Sequence, residues 1–280
     1  MEIDELLRQI DELYDLEPDV YPGDAAGVFE EFLSRLESGE LRSAEPTDDG
    51  WRVNSSVKRG ILLGFRMGEN RAFPGVEPFQ YADRDTFPPQ KLPLTERDIR
   101  IVPGGSSVRR GAYVGNSVTV MPPAYINVGA YVDDNTMVDS HALVGSCAQI
   151  GKRVHLSAGA QIGGVLEPIG QRPVIVEDDA LIGGNTGIYE GVKVGEGAVV
   201  AAGSVITASS PIYDLVNEET YRSEEDSPLS IPPRAVVIPG SRPASGDFAA
   251  RHGLHLSALV IVKYRDESTD AQTALEEALR

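Results

Sequence analysis

The chain has 280 residues, 41% of them hydrophobic, which allows a sizeable core and makes disorder the wrong expectation. Lys and Arg number 25 against 43 Asp and Glu, a formal charge of −18, so nucleic acid and anionic membrane are disfavoured as partners. The opening MEIDELLRQIDELYDLEP is acidic and amphipathic, unlike a signal peptide, no apolar run nears the ~18 residues of a membrane span, and the single Cys147 forms no internal disulfide. A soluble protein of the reducing cytoplasm is expected.

In chain order, Ile3, Leu6, Leu7, Ile10 and Leu13 share one helical face. A second apolar stripe follows Asp24, with Val28, Phe29, Phe32, Leu33 and Leu36, and Gly39 is placed to end it. A third helix is predicted from Val53 to Phe65, and the Pro-, Gly- and charge-rich stretch from Arg66 to Pro93 reads as a linker or irregular arm.

From Val102 neither helix nor strand periodicity fits. Aliphatic residues recur at every sixth place, through Val108, Val114, Val120, Ile126 and Val132 to Ile162, and again from Val176 to Ile206. Four places after each stands a small or β-branched residue, such as Ala112, Ala130, Thr136 or Ala148; Leu166, at the break, is the exception. A period of six with two inward positions describes a short strand, a corner and another short strand. Three such faces close a triangular coil, and stacked coils make a β-helix. Gly, Asn and Asp gather between the inward positions, where corners demand unusual backbone angles.

The fold class expected is mainly β: a left-handed parallel β-helix of hexapeptide repeats over 101–240. A mostly helical part over 1–100 precedes it, and a small C-terminal cap over 241–280 (strand SALVIVKY, helix TDAQTALEEALR) follows. The interruption GGVLEPIGQRP predicts a loop over 163–175, extruded from one corner while the coils continue. After Ile212 the pattern loosens through the acidic insert NEETYRSEEDSPLS and recovers at Ile231 and Val237.

Outward positions carry any chemistry. Asp139 directly follows inward Val138, so its side chain leaves the prism, either to serve a site or to satisfy corner N–H groups. Glu190 lies outside the inward positions and on that ground alone is surface charge. Arg100, Arg109, Arg110, Lys58 and Arg59 are the basic residues available to meet anionic groups. Tyr113 and Tyr131 hold the same outward position one coil apart and should stack, as a structural ladder or a contact between copies. With Tyr125 they need cover, which a trimer would give. Cys147 falls at a corner, as a plain small residue or one that lines a site.

The segment VGAYVDDNTMVDSHALVGSCAQIGKRVHLSAGAQIGGVLEP resembles the core of the tetrahydrodipicolinate N-succinyltransferase family. The resemblance runs from about Trp51 to Lys263 and takes in SSVKRGILLGFR, IRIVPGG, VEDDALIGGNTGIYEGVKV and IYDLVNEET. It implies a homotrimer with active sites between neighbouring β-helices. It also implies succinyl-CoA as co-substrate, 2-amino-6-oxopimelate (from tetrahydrodipicolinate) as acceptor, and no metal or permanently bound cofactor. By the same resemblance, Arg100 and Asp139 bind the amino-dicarboxylate, while Asp139 and Glu190 are catalytic. His141 stands where many relatives carry an aromatic residue. Histidine bases of other acetyltransferases on this scaffold make it the reserve proton acceptor. Gly184, Ala202 and Gly203 are the candidates for contact with CoA.

Amide formation from a thioester needs a neutral amine, a positioned carbonyl and a proton acceptor, with no nucleophilic side chain. An acetyl-CoA-dependent enzyme on the same acceptor, or another hexapeptide acyltransferase, remains the alternative. A β-helix carbonic anhydrase needs three histidines around zinc, and only His141 and His155 lie in the coils.

Overall fold

Inward aliphatics six apart require a backbone that turns every six residues, and the chain does so with two-residue strands. The computed structural model describes residues 1–75, 80–224, 228–266 and 271. Tyr113–Val114, Thr119–Val120 and Tyr125–Ile126 are successive strands, and each buries its second residue fully. Every strand pairs in parallel with its counterpart one coil away: Tyr113 with Tyr131, Thr119 with Met137, Tyr125 with Leu143. The three faces, called here the Tyr113, Arg100 and Tyr125 faces, form parallel sheets of six, ten and six strands, the ten-stranded one ending in antiparallel strands. This is a left-handed β-helix.

Val114, Val132, Ile150, Val176 and Val194 fill one column of the axis. Small corner residues such as Ala112, Ala148 and Ala160 close the prism because larger side chains would not fit between columns. Buried Thr136 and Thr186 are tolerated there since each hydroxyl donates to a corner carbonyl, of Gly151 at 2.8 Å and Ala201 at 3.1 Å. Three places after the inward residue the backbone turns left-handed, at Ser117, Asn135, His141, Cys147 and Gly159 alike.

Hexad arithmetic fails at the first coil. Arg100–Ile101 pairs with Thr119–Val120, so Ile101, not Val102, takes the inward place. The extra residue is absorbed at Gly104 and Gly105, both at positive φ. That shift turns Arg100 outward. The interruption after Ile162 behaves as its spacing suggests. Gln149 pairs with Ile175 and Gln161 with Gly187, 26 positions on where neighbouring coils show 18, and the sheets continue through the break.

The N-terminal helices are α1 (Ile3–Tyr14), α2 (Ala25–Ser38) and α3 (Ser55–Met67). Gly39 ends α2 in the left-handed conformation. The third helix starts later than its apolar pattern suggests. Val53 closes a hairpin strand (Gly50–Val53), and the Asn54 side chain accepts from Val57 N to cap the helix. The stretch expected as an irregular arm contains a hairpin, Asn70–Phe73 against Tyr81–Arg84. Phe29, Phe32, Leu33, Leu63 and Phe87 form the core of this part.

These helices cover the Tyr113 face. Gly39 lies so close to Tyr113 that an added Cβ would stand 2.8 Å from the ring. Trp51 Nε1 donates to Glu177 (2.8 Å) and Arg42 Nε to the buried Gln149 (2.9 Å).

Ile231 and Val237 rejoin the columns, paired with Val194 and Val200. Ala235–Pro243 then pairs antiparallel with His255–Tyr264, which caps the last coil and carries the expected terminal strand. The helix expected over 269–280 lies, apart from Ala271, outside the described residues, as do positions 225–227 of the acidic insert. Among the described residues no helix is long and apolar enough to cross a membrane.

Candidate active site

Asp139 opens the corner that joins the Arg100 face to the Tyr125 face. Its N–H donates to Leu156 O at 2.9 Å, which holds the main chain in register. Its Oδ1 accepts from Ser140 N at 2.7 Å, the corner role that an aspartate here can always play. Oδ2 has no partner among the described residues, so the half-buried carboxylate has one oxygen unengaged. His141, two residues on, is exposed in the left-handed conformation (φ 62°).

Arg100 reaches the same edge. Its Nη2 lies 3.9 Å from Met121 Sδ, and Met121 N donates to Val138 O, which sets Met121 one rung below Asp139. A rung is ~4.8 Å, so Arg100 reaches the coil next to that of Asp139. Arg100 is exposed and makes no ion pair among the described residues.

Further along, backbone bonds tie the edge together: Gly159 N to Ser140 O, Asn185 N to Ala158 O, and Gly203 N to Gly184 O. Gly184, Ala202 and Gly203 therefore stand on the edge that bears Asp139. Ala202 and Gly203 are exposed, and a Cβ added at Gly203 would meet nothing. Clefts of about 270, 330 and 370 Å³ lie elsewhere, lined by residues such as Arg8, Arg234 and Leu92.

Glu190 is not with them. It sits at the corner between the Tyr125 and Tyr113 faces, and between the rungs of Gly184 and Ala202, roughly 10–12 Å along the axis from Asp139. Its Oε2 accepts from Ala208 N at 3.0 Å, and the rest of the carboxylate is exposed. One chain does not bring Asp139 and Glu190 together.

The other basic candidates have structural work. Lys58 is fully buried in α3, where its Nζ donates to the carbonyl of Gln171 in the 163–174 loop and burial holds its pKa down. Arg59 pairs with Asp11 at 3.4 Å. Arg109 pairs with Asp83 at 2.5 Å and lies over Phe65 and Phe87. Arg110 bridges Glu30 and Glu37. Tyr113 and Tyr131 do stack, but their cover comes from Gly39, Arg42 and Arg97 of the same chain. Cys147 is a buried corner residue against the helices, its thiol pushed up to about 12 by burial. Among the described residues no three His, Cys, Asp or Glu side chains gather as a metal set.

Sequence reasoning passed over Met121, which props Arg100, and Arg172, which anchors the loop to the Glu190 corner. Neither stands at a repeating position that marks it out; both roles arise from stacking.

A β-helix of hexads with a free arginine and aspartate on one small-residue edge defines a hexapeptide-repeat acyltransferase. Family models match as "Tetrahydrodipicolinate N-succinyltransferase N-terminal" over residues 5–67 and "Hexapeptide repeat of succinyl-transferase" over 173–208. The 2,3,4,5-tetrahydropyridine-2,6-dicarboxylate N-succinyltransferase of Aromatoleum aromaticum is 40% identical over 99% of this chain and 98% of its own. The one from Afipia carboxidovorans is 41% identical over 92% and 91%. A solved structure, a putative 2,3,4,5-tetrahydropyridine-2-carboxylate N-succinyltransferase of Campylobacter jejuni, shares the fold at 18% identity. Its TM-score is 0.50, and the match covers 91% of this chain and 64% of that one. The chain belongs to the 2,3,4,5-tetrahydropyridine-2,6-dicarboxylate N-succinyltransferase family.

Proposed function

We propose that this protein transfers the succinyl group of succinyl-CoA to the amine of 2-amino-6-oxopimelate, derived from tetrahydrodipicolinate, in lysine and diaminopimelate synthesis. The observation that carries this reading is identity of 40% over 99% of the chain and 98% of a relative so named. The amine attacks the thioester carbonyl, the C–N bond forms, the C–S bond breaks, and CoA leaves as the thiol after gaining a proton. No permanently bound cofactor enters this chemistry.

Asp139 is assigned to hold the acceptor's ammonium and organise its deprotonation, because its Oδ2 is unengaged on the edge that Arg100 shares. Arg100 pairs an acceptor carboxylate, for which a guanidinium is the better clamp. Glu190 assists, and His141 is the reserve base. CoA runs along Gly184, Ala202 and Gly203, whose small side chains leave the backbone approachable.

The active unit is a homotrimer in the cytoplasm, its site composed between copies. The separation of Asp139 and Glu190 on different edges supports this, since a neighbouring copy can lay its Glu190 edge against the Asp139 edge. The described residues of 1–100 dock on the helix, those of 101–240 carry the site, and those of 241–280 close it.

Donor profiling tests the reading. Purified protein, given the acceptor, should release CoA from succinyl-CoA far faster than from acetyl-CoA; the reverse order would replace succinyl with acetyl transfer. Light scattering should give three times the 30.1 kDa chain mass, and a monomer at micromolar concentration would remove the composite site.

A further inference from the structure

Glu190 departs from the pattern of most corners. In the coils the backbone turns left-handed at the third place after the inward residue, as at Asn135, Cys147, Asp179 and Asn185. At this corner Gly191 holds that place (φ 74°), yet Glu190 before it is left-handed too (φ 55°). Among the described residues it is the one residue at the second place of a regular corner to do so. A side chain in that region is strained, and strain persists where surrounding structure over-determines it.

Arg172 lies against this corner. The loop that leaves the coil after Ile162 returns directly beneath this corner, and Arg172 grips it twice. Its main-chain oxygen lies against Gly191, where an added Cβ would stand 2.4 Å away. Its Nε donates to Gly191 O at 2.9 Å. The same guanidinium donates to Leu229 O (3.1 Å) and Pro228 O (3.3 Å), which pins the returning strand as well. Among the described residues this half-buried cation pairs with no carboxylate and spends its donors on neutral oxygens. One residue back along the loop, Gln171 O is anchored to α3 from the other side by Lys58.

We infer that Arg172 is a positioning residue for Glu190, clamping Gly191 and the peptide that follows it so that the carboxylate is aimed and ready. The clamp holds Glu190 left-handed, its Oε2 meets Ala208 N one rung on, and Oε1 is left to face a ligand. The loop is thus a brace, fastened at its base to the corner and to α3. The inference rests on the proposed role of Glu190 in the transfer.

The test is a kinetic cycle of Arg172→Met, Glu190→Gln and the double variant, with Arg172→Lys as the conservative rescue. Thermal melts are recorded for all four. Arg172→Met should lower kcat roughly tenfold to a hundredfold while both KM values stay within about twofold, since misplacement of a catalytic group costs that much. The double variant should be no slower than Glu190→Gln, because the two act as one unit. Arg172→Lys, which can still donate to Gly191 O, should recover most of the rate. If Glu190→Gln alone turns over normally, the role given to Glu190 is wrong and the inference goes with it. If Glu190→Gln is slow but Arg172→Met is normal, or the two losses multiply, the clamp alone is overturned. Melts that collapse in both Arg172 variants would make the residue a scaffold contact and also overturn it.

Discussion

The ring of Tyr131 stacks on that of Tyr113 from the next coil, with centroids 4.3 Å apart and planes inclined by 24°. Arg42, from the N-terminal part, lies 3.6 Å from the Tyr131 ring and donates to Gln149, which is fully buried. Arg42→Ala removes a cation–π contact and strips a buried amide oxygen of its donor. A loss of about 1–3 kcal/mol in denaturant unfolding is expected. An unchanged midpoint would mean that Arg42 adds nothing to the docking of the N-terminal part.

Asp139→Asn keeps shape and deletes charge, so kcat should fall by ~10²-fold or more, as general-base losses do. Arg100→Ala should raise the acceptor KM and leave donor binding nearly untouched, because the side chain lacks an internal ion pair to disturb. His141→Ala should be mild. Steady-state kinetics in both substrates separates the three; near-normal Asp139→Asn with a collapsed His141→Ala would hand the proton to the histidine.

Asp214 should make stability depend on acid. Burial pushes its carboxyl up, but Tyr264, Asn217 and Val216 donors outweigh that and hold it below the ordinary 3.8. Tyr264 OH donates at 2.6 Å, Asn217 Nδ2 at 2.9 Å, and Val216 N at 2.8 Å. As pH falls, the unfolded carboxyl therefore binds its proton first. The stabilisation is complete above the unfolded value and lost as pH passes down through the folded one. Asp214→Asn should cost about 1–3 kcal/mol at neutral pH, and the gap to the native protein should close in acid. A gap that persists unchanged at pH 2 would show that shape, not charge, matters there.

Cys147 should be silent. With its thiol fully buried and pushed up to about 12, alkylating reagents should leave the native protein unlabelled and label it fully in denaturant. Rapid native labelling would mean that the helices part from the coil on the timescale of the reagent.

Much of this protein was legible in its residues because a β-helix is built from near neighbours. A coil contacts only the next coil, so one six-residue period carries the columns, the corners and the ladder of Tyr113 and Tyr131. The same locality let the loop after Ile162 be read as an insertion: Val176 resumes the columns whatever lies between. Motif likeness added Arg100, Asp139 and Glu190 as names without geometry.

Where the period fails, only the folded chain could decide. The one-residue slip at Ile101 turns Arg100 outward, because two glycines absorb an extra residue that no spacing rule foresees. Lys58, Arg59, Arg109 and Arg110 read as available cations from sequence, and long-range packing gives them Gln171, Asp11, Asp83 and Glu30. Tyr113 and Tyr131 read as a contact between copies from spacing alone, yet Gly39, Arg42 and Arg97 of the same chain cover them. Local sequence determines a repeating backbone, since each repeat carries its own strand and corner. Which outward side chains are left free for chemistry depends on what distant segments come to lie on them, and that only the tertiary structure decides.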